Sequence, residues 1–226
     1  LVLCLDAANP RSYTGGSSTW LDLSGNDYHW DIYNASFAPN NGGCFTFDGS
    51  NDYLNRSSLQ AVKWQNYDVI NIECCFTLDS FLGSTNNRQY LFDFRDSGGL
   101  NGALGCFVDR AGSLGELTLF YNTTGNSYEE PTAYTFSLGQ MIFYQVILNK
   151  TANTVTHYVN GKNVYNRNVT LKAATINNGD VWIGRFGGGG YFWNGKVFNF
   201  KVYTNKALTP AEIRQNFNAT RGRFGL

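Results

Sequence analysis

The chain contains 226 residues, of which 42% are hydrophobic and 16% aromatic, enough to fill one core between packed layers. Its 17 lysines and arginines balance 17 aspartates and glutamates, so no long-range field attracts nucleic acid or an anionic membrane. No apolar run approaches the roughly 20 residues that cross a bilayer, and the first residues lack the pattern of a signal peptide. We therefore expect one soluble domain over residues 1–226 that binds no nucleic acid and inserts into no membrane.

Short apolar or alternating runs recur along the chain between clusters of turn-forming residues. In chain order, the predicted strands are residues 1–5, 29–33, 44–47, 71–78, 90–94, 104–108, 117–121, 143–148, 155–159, 181–183 and 197–203. About a dozen strands without intervening helical periodicity predict an antiparallel sandwich and disfavour a parallel βαβ architecture.

The run at residues 154–159 shows the clearest alternation, which indicates a strand with one buried face. Asn160 and Gly161 follow it directly. This pair suits a type I′ hairpin, because both central residues of that turn need positive φ. The returning strand is expected to carry Val164.

One helix is predicted near the C-terminus. The segment Thr209-Pro210-Ala211-Glu212 supplies an N-cap hydroxyl, a proline at N1 and a glutamate at N3. Leu208 before the cap can pack against Ile213 as a hydrophobic staple. Gly222 and Gly225 are interpreted as the stop signal and a flexible end. We expect this helix to lie flat on the sandwich.

The five cysteines have a spacing that fits neither a zinc cluster nor a disulfide scaffold. Cys74 and Cys75 are adjacent and would point to opposite faces of a strand. The pattern favours buried free thiols in a chain that folds in a reducing compartment. The alternative is one disulfide, for instance between Cys4 and Cys44.

Glycosidases require two carboxylates that flank the scissile bond, and no such pair is evident on one face of any predicted strand. Glu129 and Glu130 are adjacent and would diverge in an extended chain, while Pro131 suggests a loop. The segment Asp93-Phe94-Arg95-Asp96 is interpreted as a surface ion-pair cluster. We therefore predict no catalytic residues.

The two histidines, His29 and His157, lie in predicted strands. A catalytic triad would need one of them beside an activated serine or cysteine, and no Gly-x-Ser-x-Gly motif occurs in the sequence. We interpret both histidines as structural.

Two short segments place oxygen-bearing side chains at alternating positions. They are Asp48, Ser50 and Asp52 in one turn and the Asp22–Asn26 region in another. Either could supply calcium ligands. The alternative interpretation is a tight turn in which Asp and Asn bond their own backbone. We predict no cofactor, with calcium at Asp48, Ser50 and Asp52 as the open alternative.

A glycan site requires an exposed aromatic platform beside polar hydrogen-bonding groups. Arg185, Tyr191, Trp193 and Asn194 surround a run of glycines at residues 187–190, which predicts a mobile loop. These four are the candidate glycan-binding residues. The alternative is that their rings pack against the helix or a neighbouring subunit. Three other tryptophans are predicted to lie in the core: Trp30, Trp64 and Trp182.

Four segments in a fixed order resemble the laminin-G-like branch of the concanavalin-A-like sandwich family. They are residues 3–26, 45–54, 158–161 and 183–213. The resemblance implies an all-β, antiparallel two-sheet jelly roll with one short C-terminal helix. The blocks at residues 5–10, 22–26 and 221–225 look most like copies in phage and viral structural proteins. The fold itself does not specify a function.

Three hypotheses for function follow from this resemblance. The first is a non-enzymatic virion protein, a capsid decoration, fibre or tail-associated part, whose partners are neighbouring virion proteins or further copies of itself and which can also contact carbohydrate. The second is a free-standing lectin or adhesion module at the extracellular surface that binds surface glycans. The third and most distant is a glycoside hydrolase.

Overall fold

The computed structural model describes residues 1–57, 59, 66–82, 88–96, 103–123, 126–171 and 179–226. In these residues, 16 strands form two antiparallel sheets that pack face to face, and one α-helix follows the last strand. The predicted two-sheet sandwich with a C-terminal helix is confirmed. In chain order the elements are β1 (Leu3–Asp6), β2 (Thr19–Trp20), β3 (Trp30–Tyr33), β4 (Ser36–Ala38), β5 (Cys44–Asp48), β6 (Tyr53–Arg56), β7 (Val69–Leu78), β8 (Gln89–Asp96), β9 (Leu104–Ala111), β10 (Leu114–Thr123), β11 (Asn126–Phe136), β12 (Ile142–Asn149), β13 (Thr154–Val159), β14 (Lys162–Asn168), β15 (Gly179–Ile183), β16 (Asn194–Thr204) and α1 (Pro210–Phe224).

The two sheets draw their strands from distant parts of the chain. Sheet A has the order β14-β13-β12-β7-β16-β5-β4, and β1 also pairs with β16. Sheet B has the order β11-β10-β9-β8-β15-β6-β3-β2. Because β15 pairs with both β8 and β6, the loop that follows β15 begins at the middle of sheet B.

The space between the sheets is filled by apolar residues at alternating positions of the strands, as expected for a sandwich. Trp20, Trp30 and Trp193 are completely buried, and Trp182 is 8% exposed. The core position predicted for Trp30 is confirmed. Trp182 is also buried, but on the outer face of sheet B beside Gly187 and not between the sheets, and Trp64 lies outside the described residues.

Each predicted run overlaps an observed strand, but several strands carry no clear signal in the sequence. These are the short strands β2, β4 and β6 and the long strand β11. The loop predicted at Pro131 is wrong, because this residue lies within β11. β11 is the edge of sheet B, where a proline costs no ladder hydrogen bond if its nitrogen faces away from the neighbouring strand.

Helix α1 covers the outer face of sheet A. It starts with the predicted capping box, in which the Thr209 side chain accepts from the Glu212 amide and the Glu212 side chain accepts from the Thr209 amide. Leu208 and Ile213 lie in one buried cluster, as the predicted staple requires. The helix continues through Gly222 and ends at Gly225 in the left-handed conformation, so of the two predicted stop glycines only Gly225 ends it.

The β13–β14 hairpin lies beneath this helix. Asn160 has φ 50° and Gly161 has φ 72°, which confirms the positive φ values predicted for this turn. A Cβ atom at Gly161 would lie 3.0 Å from the ring of Phe217 in α1. The glycine therefore serves both the turn and the close approach of the helix.

The five cysteines are free thiols, and four of them are buried. The disulfide alternative between Cys4 and Cys44 is therefore wrong in this structure. Cys74 belongs to the cluster between the sheets and Cys75 to the cluster under the helix, as predicted for neighbours on a strand. Burial raises the pKa of the Cys75 thiol, which makes its reactive thiolate scarce.

Tyr144 and His157 form a buried polar pair on the inner face of sheet A. The Tyr144 hydroxyl lies 2.8 Å from His157 Nδ1, and His157 Nε2 has no hydrogen-bond partner among the described residues. Burial lowers the pKa of His157 to about 3, because the charged imidazolium would lose its hydration. The imidazole is thus neutral and structural, as predicted.

The ends of the chain both lie on sheet A. β1 pairs with β16, and Arg223 near the end of α1 donates to Asp6 Oδ1 at 2.7 Å. Arg223 also donates to the carbonyl oxygen of Gly43 at 2.9 Å.

Within the described residues, no helix combines the length and apolar character that spanning a membrane requires.

Candidate functional site

The outer face of sheet B carries a pocket of about 440 Å³. Four strands and one loop contribute to it, so it depends on the pairing of distant segments. Its lining combines aromatic rings with charges of both signs. The lining residues are Arg88, Tyr90, Arg95, Asp109, Phe120, Glu129, Phe186 and Tyr191.

A β-bulge in β8 places the side chains of this strand. The register against β9 shifts between Tyr90 and Phe92, so both Leu91 and Phe92 face the core. Tyr90 and Asp93, which strict alternation would put on opposite faces, therefore both lie on the outer face. Two residues further on, Arg95 joins them.

The loop after β15 forms one wall of the pocket. The Phe186 carbonyl accepts from the Gly189 amide at 2.9 Å, and the Gly187 amide donates to Asp93 Oδ2 at 2.7 Å. A Cβ atom at Gly187 would lie 2.5 Å from the Trp182 ring, so only glycine allows this approach. The glycine run, predicted as a mobile loop, is thus fastened to the sheet at its first residue.

Asp93 and Arg95 form a buried ion pair at the base of this loop. Arg95 donates to Asp93 through Nε, and its guanidinium carbon lies 4.1 Å from the centre of the Phe186 ring. Burial raises the pKa of Asp93, while the positive charge of Arg95 opposes that shift. The predicted surface ion-pair cluster is therefore wrong for these two residues, because the loop covers them.

Arg88 holds the two acidic residues of the pocket. Its guanidinium donates to Glu129 at 2.7 Å and to Asp109 at 3.2 Å. It also lies 3.9 Å from the centre of the Phe107 ring. Both carboxylates are thus oriented by one cation, and each keeps free lone pairs for hydroxyl donors.

Glu129 and Glu130 diverge, as predicted for neighbours in an extended chain. Glu130 points inward and is completely buried, where it accepts from the Tyr121 hydroxyl at 2.7 Å. It also pairs with Arg167 of β14 at 2.7 Å, which joins the open edges of the two sheets. Only Glu129 reaches the pocket.

The four predicted glycan-binding residues do not form one platform. Tyr191, which is 48% exposed, lines the pocket. Trp193 is completely buried, with Nε1 donating to the Thr77 carbonyl at 3.1 Å, so its predicted exposure is wrong. Asn194 is partly buried and donates to the Asp48 carbonyl at 2.8 Å, and Arg185 lies on the other side of the loop, over Tyr53.

The Asp48–Asp52 turn, predicted either as a calcium site or as a self-bonded turn, has the contacts of a turn. Asp48 Oδ1 accepts from the Ser50 amide at 2.7 Å, and Asp52 Oδ2 accepts from the Asp48 amide at 2.8 Å. Among the described residues, no group of three or more His, Cys, Asp or Glu side chains is arranged to hold a metal ion. Burial raises the pKa of Asp52.

The second segment, around Asp22, is also internally bonded. Asp22 Oδ1 accepts from the amides of Cys4 and Ser24, and Oδ2 accepts from the Ser24 hydroxyl at 2.6 Å. His29 Nδ1 accepts from the Asp22 amide at 3.0 Å, which gives this histidine a structural role.

Most of the pocket was not found from the sequence, because its members lie on different strands. Phe120 lies between two core residues of β10, Leu119 and Tyr121, and alternation alone indicates an outward-facing ring there. No local sequence pattern predicts that Glu129 and Arg88 line the same pocket. They meet there because of the register in which strands β8 to β11 pair.

Several solved structures share this fold at low sequence identity. The binding domain of Paraclostridial Mosquitocidal Protein 1 is 15% identical, with a TM-score of 0.74, covering 97% of this chain and 52% of that one. The Trypanosoma rangeli sialidase in complex with sialic acid is 16% identical, with a TM-score of 0.68, covering 97% of this chain and 32% of that one. Domain 4 of AbnA, a GH43 extracellular arabinanase from Geobacillus stearothermophilus, in complex with arabinotriose, is 15% identical, with a TM-score of 0.67 and coverage of 95% and 97%. The chain thus spans about half of the toxin domain and a third of the sialidase.

No curated protein sequence matches the chain. A family model does: Laminin_G_3, described as the Concanavalin A-like lectin/glucanases superfamily, matches residues 48–214. The match runs from β5 into α1 and includes every residue that lines the pocket. The chain belongs to the concanavalin A-like lectin/glucanases superfamily.

Proposed function

We propose that the chain is a carbohydrate-binding module and that the pocket on the outer face of sheet B is its glycan site. The observation that carries this proposal is the pocket's composition: aromatic rings beside paired, hydrogen-bonding charges. Sugar rings pack their C–H faces on aromatic side chains while their hydroxyls bond to carboxylates and guanidinium groups. Helix α1 covers the corresponding face of sheet A, which leaves sheet B as the open one.

The structural relatives support the proposal as analogues. Domain 4 of AbnA was solved with arabinotriose, and a botulinum neurotoxin binding domain was solved with SialylT. Sequence identities of 13–15% make these a likeness of fold, so the identity of the sugar must come from binding measurements.

The test is a glycan array with the full chain, followed by calorimetry on the glycans that bind. Tyr191→Ala removes the exposed ring and should weaken binding by about five- to thirtyfold, in line with the roughly 1–2 kcal/mol of one aromatic contact. Leu138→Ala is the matched control, because Leu138 is 39% exposed and does not line the pocket. Equal affinities for both variants and the parent chain would refute the site.

We propose that the chain binds glycans without hydrolysing them and without calcium. Asp109 and Glu129, the two pocket carboxylates, both accept hydrogen bonds from Arg88, so both are engaged by one guanidinium as parts of a structural ion-pair network. Incubation with the glycans that bind should release no reducing ends. The affinity for these glycans should be unchanged in EDTA. A loss of binding in EDTA would instead favour the alternative of a calcium site at Asp48, Ser50 and Asp52.

We also propose a role in a virus particle, as a capsid decoration, fibre or tail-associated part. The sequence resemblance to phage and viral proteins suggests it, and five free thiols suit assembly in a reducing cytoplasm. Light scattering of the purified chain and antibody labelling of particles test it. If light scattering shows a monomer and the antibody labels no particles, the virion role is refuted. The remaining hypothesis is then a free-standing lectin at the extracellular surface.

A further inference from the structure

Three side chains form a stack on the outer face of sheet B, beside the pocket. Tyr33 of β3 and Tyr53 of β6 are cross-strand partners. Their rings are parallel within 11°, with centres 4.5 Å apart. The guanidinium carbon of Arg185 lies 4.6 Å from the centre of the Tyr53 ring. Because Tyr33 covers one face of Tyr53, the guanidinium covers the other.

The guanidinium and the hydroxyl groups of the stack can still bind a ligand. Arg185 Nε donates to the Phe186 carbonyl at 3.2 Å, and no carboxylate of the described residues lies within ion-pair distance of this guanidinium. The guanidinium is partly exposed and offers a planar set of donors that matches a carboxylate or sulfate. Tyr33, at the open end, is 41% exposed. No protein acceptor in the described part of the chain satisfies either tyrosine hydroxyl.

We propose that this stack, the Arg185–Tyr33 stack, binds an anionic sugar of an extended glycan. The inference rests on the proposed function, because it names the class of glycan that the outer face of sheet B prefers. Arg185 pairs with the carboxylate or sulfate of one sugar. The tyrosines contact the neighbouring sugar through the exposed ring and the free hydroxyls.

The geometry indicates an oligosaccharide. The stack crosses two strand spacings, roughly 9 to 10 Å, which exceeds one sugar ring. β8, which carries Tyr90 and Arg95 of the pocket, lies two strands from β6. Arg185 and Tyr191 lie near opposite ends of the same loop, so one chain can contact both the stack and the pocket.

The nearby negative charge of Asp31 allows a second test, in which a substitution is expected to strengthen binding. Asp31 precedes Tyr33 by two residues in β3, so it lies on the same face of the sheet and is exposed. Its carboxylate repels an anionic ligand. Removing that charge should therefore strengthen binding of anionic sugars and leave neutral sugars unaffected.

The experiment compares probes that differ only in charge. The full chain is titrated by calorimetry with oligogalacturonate and its methyl ester, and with sialyllactose and its methyl ester, at low and at high salt. We expect at least one anionic probe to bind tenfold or more tightly than its neutral partner at low salt, with the preference reduced at high salt. Arg185→Gln should bring the pair to within twofold, Arg185→Lys should keep most of the preference, and Asp31→Asn should raise it two- to fivefold.

The outcomes separate this inference from the proposed function. Binding of neutral glycans that is lost in Tyr191→Ala, without any anionic preference, overturns the Arg185–Tyr33 stack and leaves the pocket in place. An anionic preference that survives in Arg185→Gln, or falls in Asp31→Asn, also overturns it. Absence of binding to every probe and to the whole array overturns both.

Discussion

The buried histidine predicts a specific loss of stability in acid. His157 has a pKa of about 3 in the folded chain and about 6.5 in the unfolded chain. Between these values the unfolded chain binds a proton that the folded chain does not, so stability rises with pH across this window. At pH 5 the free energy of unfolding should be lower than at pH 7.5 by about 2 kcal/mol from this residue alone.

Other groups also titrate in this range, so the measurement is a difference between variants. Urea unfolding of the parent chain and of His157→Gln at both pH values should show a pH dependence smaller by about 2 kcal/mol in the variant. Tyr144→Phe is the control. It removes the hydroxyl beside His157 but not the burial, so it should keep the pH dependence of the parent chain.

An unchanged pH dependence in His157→Gln would refute the reasoning. Should that variant not fold at pH 5, a proton NMR titration of the parent chain gives the same answer. The His157 ring signals should stay in the neutral position down to pH 5, and movement of these signals between pH 7 and 6 would show that the imidazole is not buried as described.

Three further predictions concern stability, and chemical denaturation at pH 7.5 checks each. Thr209→Ala removes the helix cap and should cost about 1 kcal/mol, whereas Thr209→Ser should cost much less. Gly187→Ala should destabilise by about 1–3 kcal/mol and weaken glycan binding, because the added carbon meets Trp182 at 2.5 Å. Gly222→Ala lies within α1, where a Cβ meets nothing within 4 Å, and should stabilise by about 0.5–1 kcal/mol.

The features that the sequence predicted correctly depend on neighbours along the chain. Thr209 and Glu212 are three residues apart, and their spacing alone specifies the capping box. Asn160 and Gly161 specify their turn by their own backbone preferences. The alternation that placed the strands is equally local, so the two-sheet architecture could be inferred before any contact was known.

The candidate site depends on contacts between distant segments, and there the sequence was less informative. Trp193 was expected on the surface because it follows a glycine run, but the chain turns at Tyr191, with φ 49°, and directs the tryptophan into the core. Asp93 and Arg95 were expected to be exposed, but a loop that begins 90 residues later covers them. Neither event leaves a signal in the local pattern.

Both chain ends lie on sheet A, whereas the pocket lies on sheet B. Leu1 precedes β1 and Leu226 follows α1, and the contact between Arg223 and Asp6 holds these two elements together. A support or fusion partner joined at either end would therefore be anchored to the side away from the pocket. Immobilised through either terminus, the domain should present the same open face to a glycan-coated surface.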